Sequence, residues 1–254
     1  MRWVYHCILI SLCALRIAIY YIYSANWMDC PSAAQLDGYT HLVVAFAVSY
    51  TWSPTGNNCN SDCDIATPPL CLGQTQSQIA DWQALGKKVI LSFGGAGMGG
   101  SWSGDTNNCW DHCFEREDAV SNQLVSIVED QGYDGVDLDY EYCYDTATIG
   151  RHGRDCNGSG TGLYSDAKTK HFLEEMTVQL RSKLDTLTVT SEKMYDLVHV
   201  PMDSDMYRSD LSDSPYFEII KRQSANINYV MPQVSMLSVC ICVICVYDSS
   251  PCVI

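Results

Sequence analysis

Basic side chains are scarce in this sequence. Its 254 residues include 15 Lys and Arg against 30 Asp and Glu, which gives a formal net charge of −15. Nucleic acids and anionic membrane surfaces repel an acidic protein, so this balance argues against both as partners. A neutral polymer such as a polysaccharide stays compatible. The sequence predicts no oligomeric state.

A Gly/Ser-rich linker is also absent, which favours one domain over two. The N-terminal apolar run Trp3–Leu15 follows Met1-Arg2 and is shorter than the ~20 residues that a membrane-spanning helix needs. Its length suits the core of a secretory signal peptide, which we predict over residues 1–15. The sequence therefore predicts a secreted, extracellular protein.

Cysteine is abundant, with 14 residues. Two lie in the leader and four in an apolar tail, and eight lie in polar, loop-like sequence: Cys30, Cys59, Cys63, Cys71, Cys109, Cys113, Cys143 and Cys156. An even set in loops predicts disulfides formed in an oxidising compartment, with the pairing left open except that Cys143 and Cys156 are expected to pair. The alternative, a metal site at Cys109, His112 and Cys113, lacks the second ligand pair typical of zinc sites. No metal is predicted.

Strand-like and helix-like segments alternate along the chain. Buried strands are predicted at Ile17–Tyr23, His41–Val48, Lys88–Phe93, Gly135–Glu141, Leu197–Val200 and Ile227–Met231. Helices are predicted at Gln76–Leu85, about Glu115–Glu129 and about Ser165–Leu184. Six strands joined by helices or long crossings indicate an α/β fold with a parallel sheet, either doubly wound or closed as a barrel.

The most informative segment is the acidic strand that ends at Glu141. Strand side chains alternate between faces, so Asp137, Asp139 and Glu141 project to one side. Because three neighbouring carboxyls cannot all ionise at low cost, at least one should hold or share a proton, as a general acid must. A calcium loop is the alternative, but its glycine follows the first acidic residues and it does not interleave Val and Leu.

Asp134 to Glu141 reads DGVDLDYE, which resembles the D-G-x-D-x-D-x-E signature of glycoside hydrolase family 18. Ser92-Phe93-Gly94-Gly95 is similar to the S-x-G-G motif of that family, and Met231-Pro232-Gln233 resembles the end of its sixth strand. The resemblance implies a (β/α)8 TIM-type barrel over residues 16–233.

The resemblance also implies a function, the hydrolysis of β-1,4-linked N-acetylglucosamine polymers such as chitin. Glu141 is then the proton donor, Asp139 orients the acetamido group of the substrate, and Asp137 shuttles charge behind it. The substrate's own N-acetyl oxygen is the nucleophile, and no cofactor is implied. The implied substrate-binding residues are Gly94, Gly95, Tyr142, Met231, Gln233 and Trp27. Endo-β-N-acetylglucosaminidases share the acidic motif and stay an alternative.

Loop aromatics are a weaker indication of sugar binding, and each is equally compatible with loop packing. They are Trp27, Trp52, Trp102, Trp110, Tyr142 and Tyr144.

The tail after Gln233 departs from the family. Residues 234–254 hold four cysteines and show no βα pattern, so about six of the eight βα units are expected and the barrel is expected to be incomplete. A membrane anchor, a short form, or an altered reading frame or unspliced intron would each give such a tail, and we favour the last. A non-catalytic lectin-like barrel and an inactive truncated fragment are therefore the alternatives to an enzyme.

Overall fold

The computed structural model describes residues 6–8, 17–22, 29–54, 56–68, 70–99, 109–141, 166–201 and 215–233. Within these ranges, no helix is both long and apolar enough to cross a membrane. The strands are β1 (His6–Ile8), β2 (Ile17–Ile22), β3 (His41–Ala47), β4 (Tyr50–Thr51), β5 (Asn58–Cys59), β6 (Lys88–Gly94), β7 (Gly135–Asp139), β8 (Asp196–His199) and β9 (Tyr229–Val230).

One sheet carries the fold, with its strands in the order β1-β2-β3-β6-β7-β8-β9. The six strands from β2 to β9 in this order pair in parallel, as predicted, and β1 pairs antiparallel with β2. The segment that we assigned to a signal peptide thus contributes a short strand, and its processing stays a prediction. The remaining strands, β4 and β5, form a small antiparallel hairpin in the loop after β3.

The sheet is strongly curved. The rings of His41 on β3 and Tyr229 on β9 meet edge to face with centroids 5.3 Å apart. These two strands are four positions apart in the sheet, a separation of roughly 19 Å if the sheet were flat. A second contact crosses the same concave face, where Lys88 Nζ lies 2.7 Å from Asp196 Oδ2. A sheet this strongly curved is part of a barrel. The doubly wound fold, whose sheet is open, is therefore excluded.

The helices pack on the convex side of the sheet, and they are α1 (Gln78–Ala84), α2 (Glu117–Gln131), α3 (Asp166–Ser191) and α4 (Pro215–Arg222). Helix α3 runs seven residues past its predicted end at Leu184, although that stretch is rich in Thr. The hydroxyls of Thr186 and Thr188 donate to carbonyls four residues earlier, and Leu187 is buried. The hydroxyl hydrogen bonds satisfy the Thr side chains without stabilising the helix, and the burial of Leu187 offsets the weak helix propensity of these β-branched residues. Helix α4 was not predicted.

Two apolar clusters lie on opposite faces of the sheet. The larger joins the outward side chains of the strands, among them Val136, Leu138 and Tyr140, to the helices. The smaller lies inside the curve and contains Val43, Ile90, Val198, Val200, Tyr229 and Met231. Alternation along β7 therefore aims Asp137 and Asp139 into the barrel interior.

Three disulfides tie together the segments that follow β2, β3 and β6. They join Cys30 to Cys71, Cys59 to Cys109 and Cys63 to Cys113. The prediction of disulfides is confirmed for these six cysteines. The alternative metal site is wrong, because Cys109 and Cys113 are each bonded to another cysteine. Cys143 and Cys156 lie outside the described residues.

Candidate active site

The acidic motif runs along β7, which lies between β6 and β8, and ends at Glu141 just past the carboxyl end of the strand. Its three interior carboxyls are almost fully buried, with Asp137 0%, Asp139 4% and Glu141 6% exposed. In the register of the sheet, Ser92 stands beside Asp137 and Gly94 beside Asp139. The two motifs that the sequence places 42 residues apart therefore meet as neighbours across one strand pair.

Each end of this row of carboxyls has a hydrogen-bonding partner. The hydroxyl of Ser92 donates to Asp137 Oδ2 at 2.6 Å. At the other end, the side-chain amide of Gln233 donates to Asp139 Oδ1 at 2.6 Å and lies 3.3 Å from Glu141 Oε1. A single amide thus spans two acidic groups that would otherwise repel each other. Ser92 was not among the predicted site residues, although the S-x-G-G motif contains it.

The electrostatics of the row favour a retained proton. Burial, followed by the charges of Glu141 and then Asp137, raises the pKa of Asp139 well above its usual range, and the hydrogen bond from Gln233 opposes this rise. A carboxyl with a raised pKa between two other carboxyls can accept and return a proton near neutral pH. The sequence-based expectation of a shared proton thus agrees with the geometry.

Two glycines let β6 and β7 approach closely at this level. Gly94 adopts φ +121°, and a Cβ on it would overlap the main-chain oxygen of Asp139 and come within 2.8 Å of Trp110 Cζ2. Gly95 adopts φ +77° and donates its main-chain N–H to that same oxygen at 2.9 Å. A side chain on Gly94 would push the acidic strand away, and one on Gly95 would come within 2.9 Å of the Phe46 ring. Both positions also have a positive φ, so the motif requires glycine at each.

The remaining predicted substrate-binding residues divide into two groups. Met231 is buried in the small apolar cluster inside the curve of the sheet, and Gln233 contacts the carboxyls directly. Trp27 and Tyr142 lie outside the described residues. The structure therefore brings Gly94, Gly95, Met231 and Gln233 to the end of the barrel where the carboxyls lie, and their contacts with substrate stay predictions.

The loop aromatics that the structure describes differ in their exposure to solvent. Trp52 is 69% exposed on the β4–β5 hairpin, a position compatible with sugar stacking. Trp110 is only 1% exposed and packs behind β6 and β7, so of the two alternatives left open for it the structure supports packing. Trp102 and Tyr144 lie outside the described residues.

Asp134, the first residue of the acidic motif, is at the other end of β7 and has a structural role. Its Oδ1 lies 2.9 Å from Lys193 Nζ, and its Oδ2 accepts hydrogen bonds from the main chain of Val89 and the side chain of Gln83. It thereby fixes the start of the acidic strand against its neighbours. No role was predicted for Asp134, because position in a motif does not separate a structural carboxylate from a catalytic one.

Comparison with known proteins decides the family. The sequence profile of the glycosyl hydrolases family 18 matches residues 16–224, which is most of the chain. The chain belongs to glycosyl hydrolases family 18. No curated protein matches it.

Solved structures share the fold of this family 18 domain. The C-terminal domain of ChiA from Legionella pneumophila is 20% identical with a TM-score of 0.53, over 86% of this chain and 57% of that one. A family 18 chitinase from Pseudoalteromonas aurantia is 24% identical with a TM-score of 0.53, over 85% and 66%. One from Chromobacterium violaceum is 17% identical with a TM-score of 0.54, over 86% and 36%.

These likenesses show a TIM-type α/β barrel, which confirms the predicted fold class. The chain spans 57% and 66% of the first two of these structures, so it corresponds to part of the length of each. The six parallel strands described here agree with the prediction of an incomplete barrel.

Proposed function

We propose that this family 18 domain is a retaining glycosidase that hydrolyses β-1,4-linked N-acetylglucosamine polymers such as chitin. The observation that carries the proposal is the buried row of Asp137, Asp139 and Glu141, joined by Ser92 and Gln233, at the carboxyl end of the barrel strands. Active sites of TIM barrels form at that end. The acidic surface, with a net charge of −15, suits a neutral substrate.

Each carboxyl has a separate role in the proposed mechanism. Glu141, the last of the row, donates a proton to the glycosidic oxygen as the bond breaks. The N-acetyl oxygen of the substrate attacks the anomeric carbon, and Asp139 hydrogen-bonds the acetamido N–H to orient it. Asp137, held by Ser92, lies behind Asp139 and shares its proton as the charge changes. A water then attacks the anomeric carbon, gives its proton to Glu141 and displaces the acetyl oxygen, which restores both the N-acetyl group and the protonated Glu141. Two successive inversions at the anomeric carbon retain the configuration.

Substrate contacts and location belong to the same proposal. Gly94, Gly95, Met231 and Gln233 border the row, and Trp27 and Tyr142 are added on the family motif alone. No metal or organic cofactor enters this mechanism. Secretion is supported by the three disulfides, which form in oxidising compartments.

The test is hydrolysis of a fluorogenic chitotriose glycoside by the wild type, Glu141→Gln and the matched control Glu129→Gln, whose carboxylate is exposed on α2. We expect Glu141→Gln to lose about 10²- to 10⁴-fold in kcat and Glu129→Gln to lose nothing. Equal activity of the two variants would overturn the assignment. Binding of the wild type to chitin beads without any hydrolysis would instead support a lectin-like function.

A further inference from the structure

Trp110 is the largest side chain packed behind the acidic row. It lies in a 3-10 turn, Cys109–His112, and its ring meets those of Phe93, Tyr140 and Phe172 at centroid distances of 5.1, 4.8 and 5.9 Å. All three contacts are edge to face, the arrangement that aromatic pairs prefer. The four rings form one fixed aromatic cluster between β6, β7 and α3.

The partners of Trp110 are the residues that alternate with the site residues. Phe93 stands between Ser92 and Gly94, and Tyr140 stands between Asp139 and Glu141. Since strand neighbours point to opposite faces, a shift of Phe93 or Tyr140 moves the site residues attached to the same backbone. The Trp110 ring also occupies the space beside Gly94, because a Cβ added there would lie 2.8 Å from its Cζ2.

Two disulfides hold the turn that carries Trp110. The Cys59–Cys109 bond precedes Trp110 by one residue, and the Cys63–Cys113 bond follows it by three. Both bonds lead to the segment that begins at β5, so the turn is attached twice to the same neighbouring loop. Short turns without such bonds have few contacts to fix their position, and two bonds four residues apart prevent both translation and rotation.

We propose that Trp110, clamped by the Cys59–Cys109 and Cys63–Cys113 disulfides, is a positioning residue that sets the place of Asp139 and Glu141 from behind the barrel wall. This inference rests on the proposed function. The two disulfides then contribute to kcat, in addition to stabilising the fold by lowering the conformational entropy of the unfolded chain. The third disulfide, Cys30–Cys71, is attached to neither the turn nor its aromatic cluster and has no such role.

That third disulfide is the matched control. It joins residues 41 apart, and each clamp disulfide joins residues 50 apart, so removal of any one should relax the unfolded chain by a similar amount. The variants are Cys59→Ser with Cys109→Ser, Cys63→Ser with Cys113→Ser, and Cys30→Ser with Cys71→Ser. Kinetics are measured well below the unfolding midpoint of each, and kcat is expressed per folded molecule.

We expect each clamp variant to lose about 10- to 100-fold in kcat, with KM changed less than about threefold, because small misplacements of catalytic groups act on the chemical step. The control variant should keep kcat within about twofold. Trp110→Phe, which retains an aromatic edge, should keep more activity than Trp110→Leu. Equal kcat for the clamp and control variants at matched stability would overturn the inference.

A second readout separates this inference from the proposed function. In protein labelled with ¹³C at its side-chain carboxyls, the Asp139 signal reports its titration without any turnover. The clamp variants should shift this titration midpoint, because the distances between the carboxyls change, whereas the control should leave it in place. If the wild type hydrolyses no substrate, the proposed function fails, and this titration alone decides the positioning role. An unchanged midpoint in the clamp variants would refute it.

Discussion

His199 makes the stability of the domain depend on pH. It projects from β8 to the outer face of the barrel, is fully buried, and lies between Thr177 of α3 and Tyr216 of α4, at 3.1 and 3.2 Å from its two ring nitrogens. The Thr177 hydroxyl donates to the carbonyl of Leu173, so it accepts from the imidazole, which suits the neutral tautomer protonated at Nε2. Burial lowers the pKa of His199 from 6.5 to about 3.

The sign and size of the effect follow from this lowered pKa. Below pH 6.5 His199 is protonated in the unfolded chain, whereas in the folded chain it stays neutral down to about pH 3. The free energy of unfolding therefore falls as the pH falls through this window, by up to about 1.4 kcal/mol per pH unit. Between pH 7.5 and pH 5.0 the loss from this one residue is about 2 kcal/mol.

The assay is urea unfolding followed by tryptophan fluorescence at both pH values, for the wild type and His199→Gln. Glutamine can still donate and accept a hydrogen bond but does not titrate in this range. Every other titrating group is common to both proteins, so the wild type should lose about 2 kcal/mol more than the variant on acidification. His171→Gln, a change on the exposed face of α3, is the control and should lose as much as the wild type. Equal losses for the wild type and His199→Gln would refute the reasoning.

Three further substitutions test the site and its support. Gly94→Ala places a methyl group against the main-chain oxygen of Asp139. We expect the free energy of unfolding, measured in urea, to fall by about 1–3 kcal/mol and kcat to fall as well. A variant as stable and active as the wild type would contradict the close approach of the two strands. Gln233→Leu removes the hydrogen bond that lowers the pKa of Asp139. The limb of the kcat–pH profile that reports this carboxyl should therefore move to higher pH. An unchanged profile would count against that contact. Asp134→Asn breaks the ion pair with Lys193. It should lower the free energy of unfolding by about 1–3 kcal/mol and leave kcat per folded molecule constant. A reduced kcat would place Asp134 in the catalytic machinery instead.

Local pattern predicted the strands well where both faces are apolar. The run at His41–Val48 matches β3 to within one residue, and Lys88–Phe93 matches β6 equally closely. Helix ends were less predictable, since α3 continues through a Thr-rich stretch that tertiary burial of Leu187 retains. Helix α4 was missed because its eight residues offer too short a period to detect without its packing partners.

Contacts between distant residues were not predictable from the sequence. The pairing of Cys59 with Cys109 and Cys63 with Cys113 depends on how the loops of β3 and β6 cross, which spacing does not encode. The burial of Trp110 has the same cause. From the sequence, packing and sugar stacking were equally open for this loop residue, because its aromatic partners lie far from it along the chain.

The chemistry of the candidate site follows from the amino-acid sequence alone. Side chains alternate along a strand with a period of two. The order of residues in this segment alone therefore places Asp137, Asp139 and Glu141 on one face and Val136, Leu138 and Tyr140 on the other. The hydrogen-bonding partner of each carboxyl, in contrast, depends on the folding of the chain. Gln233 is 94 residues from Asp139, and curvature of the sheet brings the two to 2.6 Å. The burial that raises the pKa of Asp139 likewise exists only once the strands have curved around it, because solvent exposure is a property of the whole fold.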